Sequence, residues 1–350
     1  MSDQPILVTG ATGLIGRRVA AILRSRQTPV RMLVRDPARL HLPEPPQPAA
    51  PPPEMVVGDL TDESLVNRAV EGCSSVIHMA ALVHHSPNYQ DYWENNVGAT
   101  RHLISAIARC SLTMVHTSSL IVFSPPPVGE LGDEGTSLAQ PGTYGPYQAT
   151  KAVNEQDFNL AIAEGADIRM VYPSSVYCSD VDTSSNIVRR FALRMLRDEA
   201  VWMPAPPSWL INIAWADDVA EGIVAALTQG KPGGRYILGG HNVTVKELAQ
   251  ELALLTGYRR SIHTLPAGLL SALAPPLEWV GRIGGNRRPL LARHTVRTIS
   301  RSWAFSSERA IKELGYRVTA LDTALGHLVE GLKKSMGQRG YGDYNGPRNV

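Results

Sequence analysis

Tyr147 and Lys151 stand four residues apart in Pro146-Tyr147-Gln148-Ala149-Thr150-Lys151. On a helix that spacing puts both side chains on one face, within reach of the same small molecule. An ammonium beside a phenol favours the phenolate. Lys151 is therefore expected to draw the Tyr147 pKa down from about 10 towards working pH, as a general acid/base requires. Of the eleven tyrosines, only Tyr147 has a lysine at this distance. Upstream, Thr117-Ser118-Ser119 follow the apolar run Leu112-Thr113-Met114-Val115-His116, and a strand ending there would bring hydroxyls to the same place.

A second group of residues is suited to an anion. Gly10, Gly13 and Gly16, with Thr12, Leu14 and Ile15 between them, separate the apolar run Ile6-Leu7-Val8 from the helical stretch Arg17 to Leu23. This is strand, glycine turn and helix, in which bare backbone can approach a pyrophosphate and the helix start favours negative charge. The next strand, Val30 to Val34, ends in Arg35-Asp36. At that point, about twenty residues past the glycines, a carboxylate binds a ribose 2′-hydroxyl and an arginine accommodates a 2′-phosphate. Arg35 favours NADP(H), with Arg17 or Arg39 as a second guanidinium. If Asp36 merely caps a short helix and Arg35 is solvated, NAD(H) is the alternative. Asp59 and Leu60, in Gly58-Asp59-Leu60-Thr61-Asp62, close the third strand where an adenine would lie; Asp59 either accepts from the adenine amino group or helps start a helix. Ala80 and Ala81 end strand four with side chains small enough for a ribose to come close, and His78 reads as packed.

These elements specify an α/β fold, a Rossmann-type doubly wound parallel sheet with a smaller C-terminal substrate lobe. The expected division is a nucleotide-binding domain over residues 1–174, with later segments around 209–240 interleaved, a substrate lobe over 175–335, and a tail over 336–350 with no assigned function. The proline-rich stretch 43–53 cannot be helical, so the crossover helix between strands two and three must be shortened or lost. A long helix is expected from Tyr89 to Arg109.

With 34 basic against 32 acidic residues, the formal charge of +2 gives no electrostatic reason to invoke nucleic acid or an anionic membrane, and a small molecule is the expected partner. The three cysteines form no CxxC pair, which argues against a disulfide framework and a zinc site and fits a cytoplasmic, reducing compartment. The first strand begins within about five residues of Met1, leaving no room for a signal peptide. Ile262 to Val280 is apolar but broken by Pro266, Pro275, Pro276 and Glu278, so no membrane span is expected.

The combination resembles the extended short-chain dehydrogenases/reductases. The TGxxGxxG turn from Thr9 to Gly16, the GDLxD stretch from Gly58 to Asp62, the serine-bearing strand end and the YxxxK pair all carry the likeness. Asp217 to Gly222, Arg235 to Gly240, and Phe305-Ser306-Ser307 with Glu313 to Tyr316 are similar to the branch of dihydroflavonol reductases, 3-beta-hydroxysteroid dehydrogenases and hopanoid-associated sugar epimerase-like proteins. The resemblance runs from Ile6 to about Leu332. It implies hydride transfer between a nicotinamide and a carbonyl or alcohol carbon, with Tyr147 as proton donor. Lys151 would bind the nicotinamide ribose, and Ser119, rather than Ser118, would hydrogen-bond the substrate oxygen. Pro173 and Ser175 fall where the family holds the carboxamide side of the nicotinamide. A homodimer through residues 88–109 and 145–164 is also implied.

Departures from the family narrow the reaction. Nucleotide-sugar dehydratases carry an acidic pair after the strand-five hydroxyls, whereas Ser119 is followed by Leu120-Ile121-Val122, so dehydration is not expected. The asparagine and phosphate-binding arginine of nucleotide-sugar epimerases are missing from Arg169 to Tyr177 and Leu210 to Asp218, and Trp215 replaces a common histidine. The apolar stretches Val201 to Pro204, Trp209 to Ile211 and Leu265 to Val280 point to a hydrophobic substrate, a ketone or β-keto compound exchanged with a secondary alcohol. The alternatives are an epimerase that works through a transient ketone with retained NAD(P), on a nucleotide sugar for example, and a non-catalytic nucleotide sensor.

Overall fold

A computed structural model describes residues 4–42, 51–83, 88–181, 183, 186–205, 208–266, 268–269, 272 and 293–338. Seven parallel strands form the main sheet: β1 (Ile6–Thr9), β2 (Val30–Val34), β3 (Glu54–Val57), β4 (Ser75–His78), β5 (Thr113–Thr117), β6 (Ile168–Pro173) and β10 (Arg235–Leu238). Their order is β10-β6-β5-β4-β1-β2-β3, so the chain reverses direction across the sheet between β1 and β4. An open parallel sheet binds its ligand at such a switch point, outside the carboxyl ends of the strands.

Both faces are covered, so β1, β4, β5 and β6 are buried along almost their whole length, polar residues such as His78 and His116 included. Helices α2 (Glu63–Val70), α4 (Ala99–Cys110) and α5 (Pro146–Ala163) lie on one side, where Val66, Leu103 and Phe158 pack with Met114 and Tyr172 of the sheet. Helices α1 (Gly16–Ser25) and α7 (Ala216–Gln229) cover the other, through Val19, Leu23, Ile223 and Val8. A third cluster builds the lobe. It joins α6 (Ile187–Leu196), α8 (Val245–Thr256) and α9 (Leu321–Gln338) to β7 (Ser175–Tyr177), β8 (Val201–Ala205), β9 (Leu210–Trp215) and β11 (His241–Thr244). Strands β11, β9 and β7 pair in a small sheet, and β8 pairs with β12 (Ile262–Pro266).

The expected helix from Tyr89 to Arg109 is not uniform. After α3 (Tyr89–Tyr92) it passes through a π-helical turn, Trp93–Gly98, before α4. Between β2 and β3 only a 3-10 turn, Pro37–Arg39, occurs among the described residues, and Asp36 caps it by accepting from the Ala38 N–H at 3.0 Å. Of the proline-rich stretch, residues 43–50 lie outside the described residues, as do most of Leu265 to Val280 and residues 339–350 of the tail. Met336, Gly337 and Gln338, read as tail, belong instead to α9. No helix among the described residues is long and apolar enough to cross a membrane.

Candidate active site

The glycine turn is close-packed on its inner side and bare on its outer side. Gly10 has φ +75°, and a Cβ there would sit 2.7 Å from the Ala80 nitrogen; one on Gly16 would sit 2.0 Å from the Gly10 carbonyl oxygen. Gly13 is exposed, and a Cβ on it would meet only that same oxygen, at 3.2 Å. Thr12, Leu14 and Ile15 are partly buried between them. Helix α1 starts at Gly16 without a side-chain cap on Ile15, so its first N–H groups have no carboxylate or hydroxyl set against them. The turn is tied to β4 by Thr9, whose Oγ1 accepts from the Ala80 N–H at 3.3 Å and lies 2.7 Å from His78 Nδ1.

His78 is packed, and its tautomer follows from its partners. The Thr100 hydroxyl donates its one proton to the Asn96 carbonyl at 2.6 Å, so at 3.1 Å His78 Nε2 must donate to Thr100 and Nδ1 must accept from Thr9. Burial and then the Lys151 charge push the imidazole down to about 3, so it is neutral.

At the ends of β2 and β3, Arg35 and Asp59 face each other, with 3.8 Å between guanidinium and carboxylate. Asp59 also accepts from the Thr61 N–H and hydroxyl, at 2.9 and 3.0 Å, while Asp62 caps α2 by accepting from the Leu65 N–H. Leu60 is buried, and its carbonyl contacts His102 Nδ1 at 3.1 Å. Arg17 is not at this site. It pairs with Asp180 at 3.2 Å, and Arg18 with Asp180 and Asp217 at 2.6 and 2.8 Å, which ties α1 to the lobe; Arg39 is exposed. A cavity of about 480 Å³ opens beside these arginines and acids, and neither Tyr147 nor Lys151 lines it.

Across the sheet, Pro146 occupies the first turn of α5, where its missing N–H leaves no hydrogen bond unmade. Tyr147, Lys151 and Glu155 then follow at one-turn intervals on the face towards the end of β5. Lys151 is buried and donates to the Thr117 carbonyl at 2.7 Å. Glu155 is buried one turn further on, where it accepts from Ser118 Oγ at 2.7 Å and from the Tyr172 hydroxyl at 2.8 Å. Ser118 is thus a structural hydroxyl. Ser119 caps the 3-10 turn Leu120–Val122, and its hydroxyl lies close enough to Tyr147 to favour the phenolate slightly.

The tyrosine does not behave as its spacing to a lysine suggests. Burial pushes the Tyr147 phenol up to about 12, against a smaller downward pull from the Ser119 hydrogen bond. Lys151 Nζ is 6.0 Å from the ring centroid and is held by Thr117, so desolvation of the phenolate outweighs its charge. Lys151 itself is brought down to about 8 by burial, with Glu155 acting the other way.

Several residues of the cluster carry no motif. Asn96, in the π-helical turn, accepts from the Leu82 N–H at 2.6 Å and donates to the Leu82 carbonyl and to Thr150 Oγ1, both at 3.0 Å. It thereby fixes the loop after Ala80 and Ala81 to the residue preceding Lys151. Such turns free backbone groups that a regular helix would use; the Asn96 carbonyl takes both Thr100 and Asn154, the latter at 3.0 Å. Gln148 accepts from the Gly142 N–H at 2.8 Å and pins the loop before α5. The available sequence signal was the spacing of Tyr147, Lys151 and Glu155 at i, i+4 and i+8, which puts all three on one face of α5.

The residues present fit a dinucleotide. Bare backbone at Gly13 and an uncapped helix start lie at one end. At the other, Thr117 Oγ1 and Ser174 Oγ are buried without a hydrogen-bond partner, beside Ser119 and between Pro173 and Ser175. A parallel doubly wound sheet with a glycine turn at its switch point and Ser119, Tyr147 and Lys151 at its carboxyl edge defines a nicotinamide-dependent oxidoreductase. Residues 6–239 match the NAD dependent epimerase/dehydratase family, and the chain belongs to it: it is an NAD(P)-dependent extended short-chain dehydrogenase/reductase acting on CH–OH or C=O groups.

Among its relatives, sterol demethylase protein B of Methylococcus capsulatus is 30% identical over 332 residues, covering 92% of this chain and 96% of that one. A putative dihydroflavonol 4-reductase of Synechocystis is 29% identical over 330 residues, covering 92% of each. The crystal structure of gox2253 superimposes with a TM-score of 0.78 at 27% identity, covering 96% of this chain and 99% of that one.

Proposed function

We propose that this chain is an NADP(H)-dependent reductase that interconverts a ketone or β-keto compound and a secondary alcohol on a hydrophobic small molecule. The observation that carries the reading is the placement of Tyr147 and the buried Lys151 one turn apart on α5, with the Lys151 ammonium held at the end of β5 by the Thr117 carbonyl, two residues before Ser119. Burial keeps the Tyr147 phenol protonated. A phenol that keeps its proton at neutral pH is in the form that donates to a carbonyl oxygen when the reaction runs as a reduction. Bound nicotinamide supplies the hydride, or takes it in reverse.

Tyr147 donates its proton to the substrate oxygen while Ser119 hydrogen-bonds the same oxygen as charge builds there. Lys151 holds the nicotinamide ribose and keeps a positive charge under the reacting groups. Pro173 and Ser175 border the nicotinamide, Gly10, Gly13 and Gly16 admit the pyrophosphate, and Leu60, Asp59, Ala80 and Ala81 line the adenosine side. Arg35, exposed and paired with Asp59 at 3.8 Å, is free to turn to a 2′-phosphate, which supports NADP(H). Asp36 caps the 3-10 turn after β2, the arrangement under which NAD(H) is the alternative, and the comparison of NADPH with NADH decides between them. The lobe after residue 174 supplies the substrate pocket, and the names of relatives that refer to a sterol and a dihydroflavonol support an apolar substrate. The three free cysteines fit a cytoplasmic enzyme. A homodimer would use residues 88–109 and 145–164, where Tyr89 and Leu160 are exposed.

The test is consumption of NADPH, and separately NADH, at ~340 nm against hydrophobic ketones and β-keto esters, with Tyr147→Phe as control. Turnover that prefers NADPH and disappears in the variant is the expected result. No turnover with any ketone, together with a stoichiometric cofactor that co-purifies and does not exchange, would establish the epimerase reading instead.

A further inference from the structure

Lys151 is the only buried lysine of the six in the chain; the other five are exposed. An ammonium has three protons to place and can accept none. The Thr117 carbonyl takes one at 2.7 Å. Among the described residues, the only other side-chain atom within hydrogen-bonding reach is Nε2 of His116, at 3.5 Å on the same strand as Thr117. His116 is itself buried, its ring 4.2 Å from Phe158 and 5.2 Å from His78, and its Nδ1 has no partner.

The charge on Lys151 decides the form of this imidazole. Burial, the Lys151 charge and His78 hold His116 well below its usual range, so the ring is neutral and carries one proton. With Lys151 charged, a proton on Nε2 would face the ammonium, so it resides on Nδ1 and Nε2 offers its lone pair. With Lys151 neutral, the opposite tautomer can donate to the amine. Of the two contacts the first involves an ion and is the stronger.

We propose that His116 is a positioning residue for the reaction: its Nε2 accepts a proton of the Lys151 ammonium, aims the amine at the ribose and substrate side, and keeps it charged inside a dry site. The catalytic consequence rests on the Tyr147–Lys151 reading, but the contact itself does not. Other groups facing Lys151 are Tyr147 and Glu155 on its own helix, with Tyr172 and Arg235 reaching it only through Glu155, and His78 from β4; the π-helical turn and α4 contribute Asn96 and Thr100, which do not titrate.

The Lys151 titration can be followed without cofactor or substrate by NMR of the protein labelled with 13Cε-lysine. Six signals are expected, and Lys151→Arg assigns the one that matters. In the wild type its midpoint should lie at about 8. His116→Phe retains the stacking on Phe158 and removes the acceptor, so the midpoint should fall by roughly half to one pH unit. His116→Gln, which restores an acceptor, should return it most of the way, and melting curves of both variants report whether they fold. The alkaline limb of ketone reduction should move with the NMR midpoint. A midpoint unmoved or raised in His116→Phe, or lowered equally in His116→Gln, would overturn the proposal. Absence of ketone turnover in the wild type would instead count against the function proposed above and leave the NMR result standing.

Discussion

At the glycine turn and at the Tyr147 cluster the same sheet edge is built by opposite means. The turn works by leaving things out. Gly10 and Gly16 are there because a Cβ would collide with Ala80 and with Gly10 itself, and the surface left at Gly13 is backbone. The cluster works by packing things in: Lys151, Glu155, His78, His116 and Asn154 are all buried, and each must find partners in a dry interior. Recognition by bare backbone needs little tuning. Recognition by buried ionisable groups depends on every neighbour, because desolvation moves a pKa by units. Tyr147 illustrates this, since burial outweighs the lysine that the spacing alone would credit.

Tyr147→Phe should break the chemical half of this contrast most severely. A fall of about 10³-fold in ketone reduction is expected, with the melting temperature unchanged, checked by NADPH oxidation and calorimetry. Gly16→Ala should break the other half. With no room for a Cβ against the backbone of Gly10, a loss of about 3 kcal/mol in a denaturant titration is expected. Gly13→Ala should spare stability and weaken cofactor binding, and equal destabilisation by the two would refute the distinction between inner and outer glycines.

Lysine charge gives a smaller, signed effect. Because the folded state lowers Lys151 from 10.5 to about 8, activity that needs the ammonium should be full below that value and fade as pH rises through it. Stability should move the other way. Above pH 8 the unfolded chain holds more protons at this site than the folded one, so stability rises with pH until the buried cysteines, raised from 9.0, begin to oppose it. Urea melts at pH 8 and 9 should show the rise in the wild type and not in Lys151→Met.

The smallest effect is assigned to Arg35→Ala. Removal of an exposed 3.8 Å pair leaves stability nearly unchanged, yet the ratio of NADPH to NADH efficiency should fall by about 10-fold, as for the loss of one charge-assisted hydrogen bond. An unchanged ratio would remove Arg35 from cofactor choice.

Much of the sheet edge was legible because it is written in local terms. A strand, a glycine turn and a helix are contiguous, as are Tyr147 and Lys151, and helical and strand periods assign them a face without knowledge of the rest. The parallel sheet follows from the same alternation of elements, whereas the strand order that sets β4 beside β1 is a matter of tertiary structure. What escaped was non-local. Asp180, some 160 residues from Arg17 and Arg18, claims both, and no pattern near the glycines announces it. Asn96 and His116 carry no motif, and they matter only because the π-helical turn and β5 bring them against α5.

The chain by itself therefore determined the class of fold, and it singled out the glycine turn and the Tyr147–Lys151 pair as candidates, since each depends on spacings of four residues or fewer. Tertiary structure alone decided the charge on those groups. Whether Tyr147 keeps its proton, whether Ser118 serves chemistry or Glu155, and whether Arg17 is available to a phosphate are all questions of which distant group arrives and how much water is excluded. Solvation energies are set by the whole surrounding volume, and a linear sequence does not list its neighbours in space.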